Sequence, residues 1–169
     1  MTWHLTTDRL ELRPMSPTDV DGLLPVLGDP ISMRFYPRPF DLEMTRGWID
    51  RVQARYDRDG FGLLSVIERD TGELIGDCGP QMMETSHGTF AELGWHNRRD
   101  RQGRGYATEA GVACRDHALL TLQVDRLISL IRPENVPSWS VARALGFRPW
   151  RSEVRVGMAH IVWSLTRQP

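Results

Sequence analysis

The chain contains no lysine, and all 21 of its basic residues are arginine. No side chain of the protein therefore carries a primary amine. The formal net charge is only −1, because 22 acidic residues balance the arginines. Such a balance gives no electrostatic reason to expect nucleic acid or an anionic membrane as a partner.

Cysteine is also scarce. The two cysteines, Cys78 and Cys114, lie in unrelated segments and lack the close spacing of metal ligands. They predict reduced thiols in a reducing compartment, with neither a disulfide nor a metal site. No apolar run approaches the roughly 20 residues that a membrane span needs. The polar start MTWHLTTDRLELR does not resemble a signal peptide, so a cytoplasmic location is expected.

What is present is typical of one globular domain over residues 1–169, with 40% hydrophobic and 25% charged residues. Seven strands are predicted from hydrophobic alternation, at 9–14, twice within 63–79, and at 90–96, 125–133, 150–156 and 158–166. Four helices are predicted from capping signals, after Ser16, over 41–60, from about 106 to 122, and over 135–147. The stretch METSHGT (83–89) is expected to be a loop. This order predicts an α+β (α/β layered) mixed sheet with helices on its faces.

The segment RQGRGYATEA (101–110) combines two glycines with arginines and then good helix formers. Unpaired N–H groups at a helix start bind phosphate, and glycines let the backbone approach an anion closely. Arginine suits the same purpose because its guanidinium can hold two oxygens at once. From local chemistry alone, a glycine turn that caps a helix beside a solvated basic patch remains the alternative.

Two common phosphate sites do not fit this segment. A P-loop requires Lys-Ser/Thr after its second glycine, whereas Gly105 is followed by Tyr-Ala. A dinucleotide fold requires a third glycine where Thr108 stands, and an acid at the end of its second strand, whereas Asp125 begins a strand. Both are excluded.

The run from Gln102 to Ala107 is similar to the Q/R-x-x-G-x-G/A motif of the GNAT superfamily of acyl-CoA-dependent N-acetyltransferases. GRGYATEA more specifically resembles its RimJ/RimL-like branch, which acetylates protein N-termini and various small amines. Three further stretches agree in order: TDRLELRPMSPTDVD, AELGWHNRRDRQGRGYATEA and RPENVPSWSVARALGF. The resemblance covers nearly the whole chain. It implies a mostly antiparallel seven-stranded sheet, with helices on both faces, that is splayed between its fourth and fifth strands.

The resemblance also implies a coenzyme A site. The backbone of Trp95, His96 and Asn97 would pair with the pantetheine arm, and the loop amides would hold the pyrophosphate. The implied loop residues are Gln102, Gly103, Arg104, Gly105, Tyr106, Ala107 and Thr108.

Two residues near the fourth predicted helix match family positions close to the cofactor. Asn135 would lie near the cofactor arm, although a turn or helix cap explains it nearly as well from local chemistry. Ser138 would touch the departing thiolate or orient the cofactor, or is an ordinary helix-terminus serine. Many superfamily members keep a tyrosine seven residues after the asparagine as general acid. Here that position is Ala142, so Ser138 or a water is the expected substitute.

An ammonium acceptor must lose a proton before it attacks a thioester, so a base is needed nearby. Glu92 is the candidate, because it shares one strand face with His96 and a partly buried carboxylate has a raised pKa. The alternatives are a plain solvent-facing glutamate and His96 itself as the base. By resemblance Phe35 and Tyr36 border the acceptor site, although aromatic residues are core residues by default. Trp139 and Trp150 are further candidates for its wall.

These patterns predict an N-acetyltransferase that moves the acetyl group of acetyl-CoA directly onto a primary amine, either a protein N-terminus or a small molecule. A covalent cysteine intermediate is not expected, since neither cysteine has a neighbouring base in sequence. The alternatives are a non-catalytic acyl-CoA-binding regulatory module and a transferase for another acyl group such as succinyl. The identity of the acceptor stays open, and so does the choice between monomer and homodimer.

Overall fold

An eight-stranded mixed sheet runs through the computed structural model, which describes residues 3–167. The domain predicted over residues 1–169 extends beyond these bounds at both ends. The strands are β1 (Leu5–Thr6), β2 (Leu10–Pro14), β3 (Leu64–Glu68), β4 (Leu74–Thr85), β5 (Gly88–Asn97), β6 (Arg126–Ile131), β7 (Arg148–Arg155) and β8 (Met158–Thr166). The α-helices are α1 (Val20–Leu27), α2 (Leu42–Asp59), α3 (Tyr106–Asp116) and α4 (Val136–Ala144).

The predicted capping residues begin and end the helices as expected. Asp41 accepts a hydrogen bond from the backbone N–H of Met44 at 2.8 Å and so caps α2, which ends at Gly60 in the left-handed conformation. Ser16 forms a capping box with Asp19 before α1. The third helix continues as a π-helical turn over His117–Thr121, which agrees with the predicted end near residue 122.

Two predictions about the strands were wrong. The sheet has eight strands rather than seven, because the two-residue strand β1 pairs with β2. The stretch 83–89 is mostly strand, since β4 and β5 continue to the pair Thr85 and Gly88. The carboxylate of Glu153, on β7, explains this hairpin, because it accepts hydrogen bonds from the backbone N–H and the hydroxyl of Ser86. Such a long-range contact leaves no local signal in the sequence.

The strands lie in the order β1-β2-β3-β4-β5-β6-β8-β7, and every neighbouring pair is antiparallel except β5 and β6. These two are parallel, and their register comprises only Ala91 with Leu127 and Glu92 with Ile128. Beyond these pairs they separate. The splay predicted between the fourth and fifth strands is confirmed. These strands are β5 and β6 here, because the additional strand β1 shifts the numbering by one.

Helices cover both faces of the sheet and enclose two apolar clusters. One cluster joins α3 and α4 to the strands and includes Leu64 and Phe147. The other lies under α1 and α2 and includes Ile49 and Leu63. Leu63 and Leu64 are adjacent in sequence but belong to different clusters, as side chains that alternate along a strand must. Among the helices within residues 3–167, none has the length and apolar character that crossing a membrane would require.

Candidate active site

A cleft of about 670 Å³ opens where β5 and β6 separate. Its walls come from the segment 32–37, from α2, β4 and α4, from the loop 102–108, and from the β7–β8 hairpin. The residues predicted for the site line this cleft, except Arg104 and the two wall candidates Trp139 and Trp150. The side chain of Arg104 is exposed, and its carbonyl oxygen accepts a hydrogen bond from Arg9 at 3.0 Å. Residues predicted from separate segments are thus brought to one place.

The loop before α3 depends on glycine for its backbone conformation. Gly103 and Gly105 have φ values of 74° and 81°, in the left-handed region that other residues rarely adopt. A Cβ atom at Gly103 would meet nothing within 4 Å, so open space lies above this backbone. The first amides of α3 have no partner in the preceding turn and carry partial positive charge. This geometry is suited to an anion that approaches the main chain.

Two of the arginines in this segment brace the loop. Arg98 forms ion pairs with Asp100 at 2.7 Å and with Glu73 at 2.8 Å. Arg101 reaches the same Glu73 at 2.8 Å and Glu68 at 3.1 Å. Their guanidinium groups therefore hold the loop against β3 and the turn that follows it. Both guanidinium groups are thus occupied by acidic side chains.

The polar side chains of the loop also serve to shape it. Gln102 donates to the carbonyl oxygen of Asn97 and to the hydroxyl of Ser32, both at 3.1 Å. In the amide orientation that satisfies both of its groups, Asn97 accepts from the backbone N–H of Ala107 at 3.1 Å. The Tyr106 hydroxyl points away from the cleft and donates to Glu68. What this loop offers a ligand is therefore chiefly its main chain.

The gap between β5 and β6 exposes strand edges. The hydroxyl of Ser129 donates to the carbonyl oxygen of Leu93 at 3.0 Å, which shows that this carbonyl faces β6. Alternation along β5 then directs the N–H and C=O groups of Trp95 into the gap. An extended ligand with amide groups can pair with such an edge as an added strand does.

Asn135 and Ser138 stand together at the start of α4. The side-chain oxygen of Asn135 accepts from the backbone N–H of Ser138 at 3.2 Å, so Asn135 caps the helix while it also lines the cleft. Within residues 3–167 no partner of the Ser138 hydroxyl is found, and this hydroxyl is free to meet a ligand. Ala142 is fully buried in the core, so the position of the family's usual tyrosine offers no polar group.

Glu92 lies at the centre of the cleft and is buried, with 9% of its surface exposed. The alternative of a solvent-facing glutamate is therefore wrong. Its carboxylate accepts from the Gln81 amide at 3.0 Å and from the backbone N–H of Leu130 at 3.4 Å. Gln81 in turn accepts from Arg55 at 2.6 Å. Burial raises the pKa of Glu92 and outweighs these hydrogen bonds and the nearby arginines, which lower it.

A second polar group faces the same cleft. His96 Nδ1 lies 2.7 Å from a carboxylate oxygen of Asp77, and His96 Nε2 lies 2.6 Å from the Tyr36 hydroxyl. The indole N–H of Trp48 donates to the other oxygen of Asp77 at 3.0 Å. Burial lowers the pKa of His96. The charge and hydrogen bond of Asp77, together with the charge of Glu92, raise this pKa by more, so the net shift is upward.

Sequence reasoning missed Asp77, Gln81 and Arg55. Asp77 had a signal, since it is a charged residue in the middle of a predicted buried strand and must find partners there. Gln81 and Arg55 had none, because their contacts depend on how α2 packs across β4.

Two predicted wall residues lie elsewhere. Trp139 packs against Trp163 in the core, with ring centroids 6.3 Å apart. Trp150 packs on the β4–β5 hairpin, edge-on to Phe90 with centroids 5.6 Å apart. Both assignments were wrong because side-chain direction on α4 and β7 was not visible from the sequence.

The cysteines are remote from this chemistry. Cys78 and Cys114 are buried in the core and contact each other's segment, with the thiol of Cys114 3.7 Å from the Cys78 carbonyl oxygen. Across residues 3–167, no group of three potential metal-ligating side chains lies close enough to hold an ion.

Comparisons with known proteins agree with this architecture. Residues 9–148 match the family model described as the acetyltransferase (GNAT) domain. The uncharacterised N-acetyltransferase p20 of Bacillus licheniformis is 32% identical over 146 residues, which cover 85% of this chain and 82% of p20. An acetyltransferase structure from Agrobacterium tumefaciens str. C58 superposes with a TM-score of 0.81 at 32% identity, covering 96% of this chain and 94% of that one.

RimJ of Mycobacterium smegmatis, solved in complex with a coenzyme A disulfide, has the same fold. Its TM-score is 0.70 at 22% identity, and the match covers 98% of this chain and 86% of that one. RimL ribosomal-protein acetyltransferases are also among the solved structures that share the fold. These likenesses, each under 25% identical, show the shared fold, and the family match confirms the predicted GNAT membership. The chain belongs to the GNAT family of acetyltransferases, and it is an acyl-CoA-dependent acyltransferase.

Proposed function

We propose that this protein transfers the acetyl group of acetyl-CoA directly onto a primary amine, either a protein N-terminus or a small molecule. One observation carries the proposal. A single cleft joins an anion-binding loop at the start of α3 to a buried carboxylate, Glu92, across the opening between β5 and β6.

The residues of the cleft fit coenzyme A. The left-handed Gly103 and Gly105 and the first amides of α3 suit the pyrophosphate. The main chain of Trp95 suits the amide groups of pantetheine, and Asn135 and Ser138 lie on the wall that such an arm would follow. When bound, acetyl-CoA supplies the activated acyl group as a thioester.

In this proposal Glu92 removes a proton from the incoming ammonium, through a water. A carboxylate whose pKa is raised by burial can accept a proton closer to neutral pH than an exposed one can. The free amine then attacks the thioester carbonyl, and Ser138 orients the departing sulfur. Cys78 and Cys114 lie in the core and not on the cleft, which favours direct transfer over an acyl-cysteine intermediate. Their burial as free thiols also suits the proposed cytoplasmic location.

The charge of the cleft narrows the acceptor class. Among the described residues that line it, Glu92 is the one carboxylate, whereas Arg34, Arg55, Arg132 and Arg155 also line it. A polycationic acceptor such as a polyamine would meet several like charges here. We therefore propose an acceptor with a single ammonium group near its reacting end.

One observation favours a second candidate donor. Arg55 is half-buried on the cleft wall, and within residues 3–167 no carboxylate lies within 4 Å of it. A succinyl group would bring a carboxylate that such a guanidinium could bind. If succinyl-CoA is a substrate, Arg55→Gln should weaken its competition with acetyl-CoA, and Arg51→Gln on the exposed side of α2 should not. Equal weakening by both changes would remove this candidate.

The test measures coenzyme A binding and turnover on the same preparation. Acetyl-CoA binding is followed by calorimetry, and thiol release is followed with a panel of amines that includes peptide N-termini, amino acids and polyamines. Amine-dependent thiol release with monoamines and peptides supports the proposal. Tight acetyl-CoA binding without turnover on any amine would contradict it and would favour the non-catalytic regulatory module. The absence of lysine keeps the readout clean, because no lysine side chain of the enzyme can be acetylated.

A further inference from the structure

We propose that Tyr36 is the proton donor to the departing thiolate, and that His96 and Asp77 hold and recharge it. This inference rests on the proposed acetyl transfer. It supplies a general acid, which the chain lacks at position 142, where many members of the family have a tyrosine. Ala142 is fully buried in the core and cannot donate a proton. Tyr36, in contrast, reaches the cleft from the loop between α1 and α2.

The geometry is that of a continuous hydrogen-bonded chain. The Tyr36 hydroxyl is 2.6 Å from His96 Nε2, and His96 Nδ1 is 2.7 Å from Asp77. Asp77 is fully buried, and the His96 side chain is only 13% exposed. Trp48 fixes the second oxygen of Asp77 with its indole N–H. The imidazole is therefore held from both ends, with its Nε2 directed at the phenol.

The charged groups around His96 favour its protonated form. Asp77 faces the ring from β4, and Tyr36 faces it from the α1–α2 loop. Glu92 faces it from β5, the strand to which His96 itself belongs. The ring of Trp48, from α2, packs edge-on at 5.9 Å between centroids. Among these neighbours no cation opposes the imidazolium. A protonated His96 can donate through Nε2 to the phenol oxygen and leave the phenol proton free for the cleft.

The proton balance is as follows. When the tetrahedral intermediate collapses, the C–S bond breaks and its electron pair stays on sulfur. The Tyr36 O–H bond breaks as the S–H bond forms, and the phenol oxygen takes the proton of His96 Nε2. His96 is then reprotonated from water. The acceptor nitrogen loses two protons overall, one to Glu92 before attack and one to water after it. Glu92 then passes its proton to water, and since His96 takes one back, one proton is released per amide formed.

Tyr36 is the catalytic residue in this scheme, because its hydroxyl touches the reacting sulfur. His96, Asp77 and Trp48 act through it and are positioning residues. The three tyrosines of the chain provide a matched control, since the Tyr56 hydroxyl bonds to backbone atoms of Met15 and Leu63 on the other side of α2. Tyr56→Phe removes a hydrogen-bonded phenol that does not line the cleft.

The experiment compares kcat, KM for acetyl-CoA and the pH dependence of kcat in four proteins. Tyr36→Phe should lower kcat by about 100-fold, a typical contribution of general acid catalysis, and should leave KM for acetyl-CoA unchanged. It should also abolish the fall of kcat at alkaline pH. Replacement of Tyr36 by a fluorotyrosine keeps a phenol at this position and should restore kcat and the alkaline fall. Tyr56→Phe should keep the wild-type profile.

Asp77→Asn tests the support of the donor, and Trp48→Phe serves the same purpose if the asparagine variant does not fold. Either variant should lower kcat and move the alkaline fall of kcat to lower pH. In Asp77→Asn the His96 imidazolium loses the carboxylate that stabilises it, and in Trp48→Phe that carboxylate loses the indole N–H that donates to it. An unchanged kcat and profile in Tyr36→Phe would overturn the inference while the acetyl transfer of the wild type still stands. Absence of turnover in the wild type on every amine would remove both proposals together.

Discussion

The two halves of the cleft are built in different ways. The half proposed to face coenzyme A is centred on one contiguous segment, 102–108, whose main chain lines the cleft and which Arg98 and Arg101 brace through nearby acids. The half proposed to face the acceptor is assembled from the 33–36 loop, α2, β4 and β5, and it presents side chains. The first half is suited to bind an anion with the backbone, and the second holds titratable groups in place. We therefore expect changes in the first to alter KM and changes in the second to alter kcat.

The largest effect is expected in the acceptor half. Glu92→Gln should lower kcat by about 100-fold to 10,000-fold, because the proposed base is lost. In the wild type, kcat should fall as the pH drops through the raised pKa of Glu92, since the protonated carboxyl cannot accept a proton. The glutamine variant should lack this acidic limb in a pH–rate profile. Glu84→Gln, at an exposed position of β4, is the matched control and should change neither value. A Glu92→Gln variant with the wild-type profile would remove Glu92 as the base.

The next effect is expected in the cofactor half. Gly105→Val places a β-branched residue at a φ of 81°, which costs about 1–3 kcal/mol and shifts the start of α3. KM for acetyl-CoA should rise by about tenfold or more, since 1.4 kcal/mol of lost binding is a factor of ten.

Gly60→Val is the control for that change, because Gly60 has a similar φ of 77° at the far end of α2. It should lower the melting temperature to a similar extent without raising KM for acetyl-CoA. If both valine variants raised KM equally, the loop geometry would not explain coenzyme binding.

The smallest effect concerns the support of the loop. Glu68 accepts hydrogen bonds from Tyr106, Thr71 and Arg101, and the bond from Tyr106 is the main reason that its pKa lies below the usual value of 4.5. Its stabilisation is therefore complete above the pKa of the unfolded chain and is lost as the pH falls through the lower folded value. Glu68→Gln should cost about 1.5–3 kcal/mol near neutral pH, measured by denaturant unfolding.

The cost of Glu68→Gln should shrink in acid, as the wild-type carboxylate is also protonated. Glu73→Gln, whose side chain is 47% exposed, should cost about 1 kcal/mol or less. If the exposed Glu73 mattered as much as Glu68, the surface ion pairs rather than the buried contact would support the loop.

The same division explains what could be predicted from the sequence. The loop 102–108 and the α2 boundaries at Asp41 and Gly60 were predictable, because each depends on local residues or on a contiguous motif, and the splay was predictable through the family resemblance alone. The Asp77–His96–Tyr36 chain and the Arg55–Gln81–Glu92 chain were not, because each joins three segments that only tertiary packing brings together. Of these residues, Glu92, His96 and Tyr36 were identified singly, but their partners were not.

Acetyl-CoA carrying an isotopically labelled acetyl group tests the central claim most directly. The enzyme is incubated with this donor and a panel of amines, and both the small products and the intact protein are examined by mass spectrometry. We predict that the label appears as an amide on an acceptor amine, in step with thiol release, while the enzyme stays unlabelled throughout turnover. Label retained on Cys78 or Cys114, or thiol release without labelled amide on any acceptor, would contradict direct transfer to an amine.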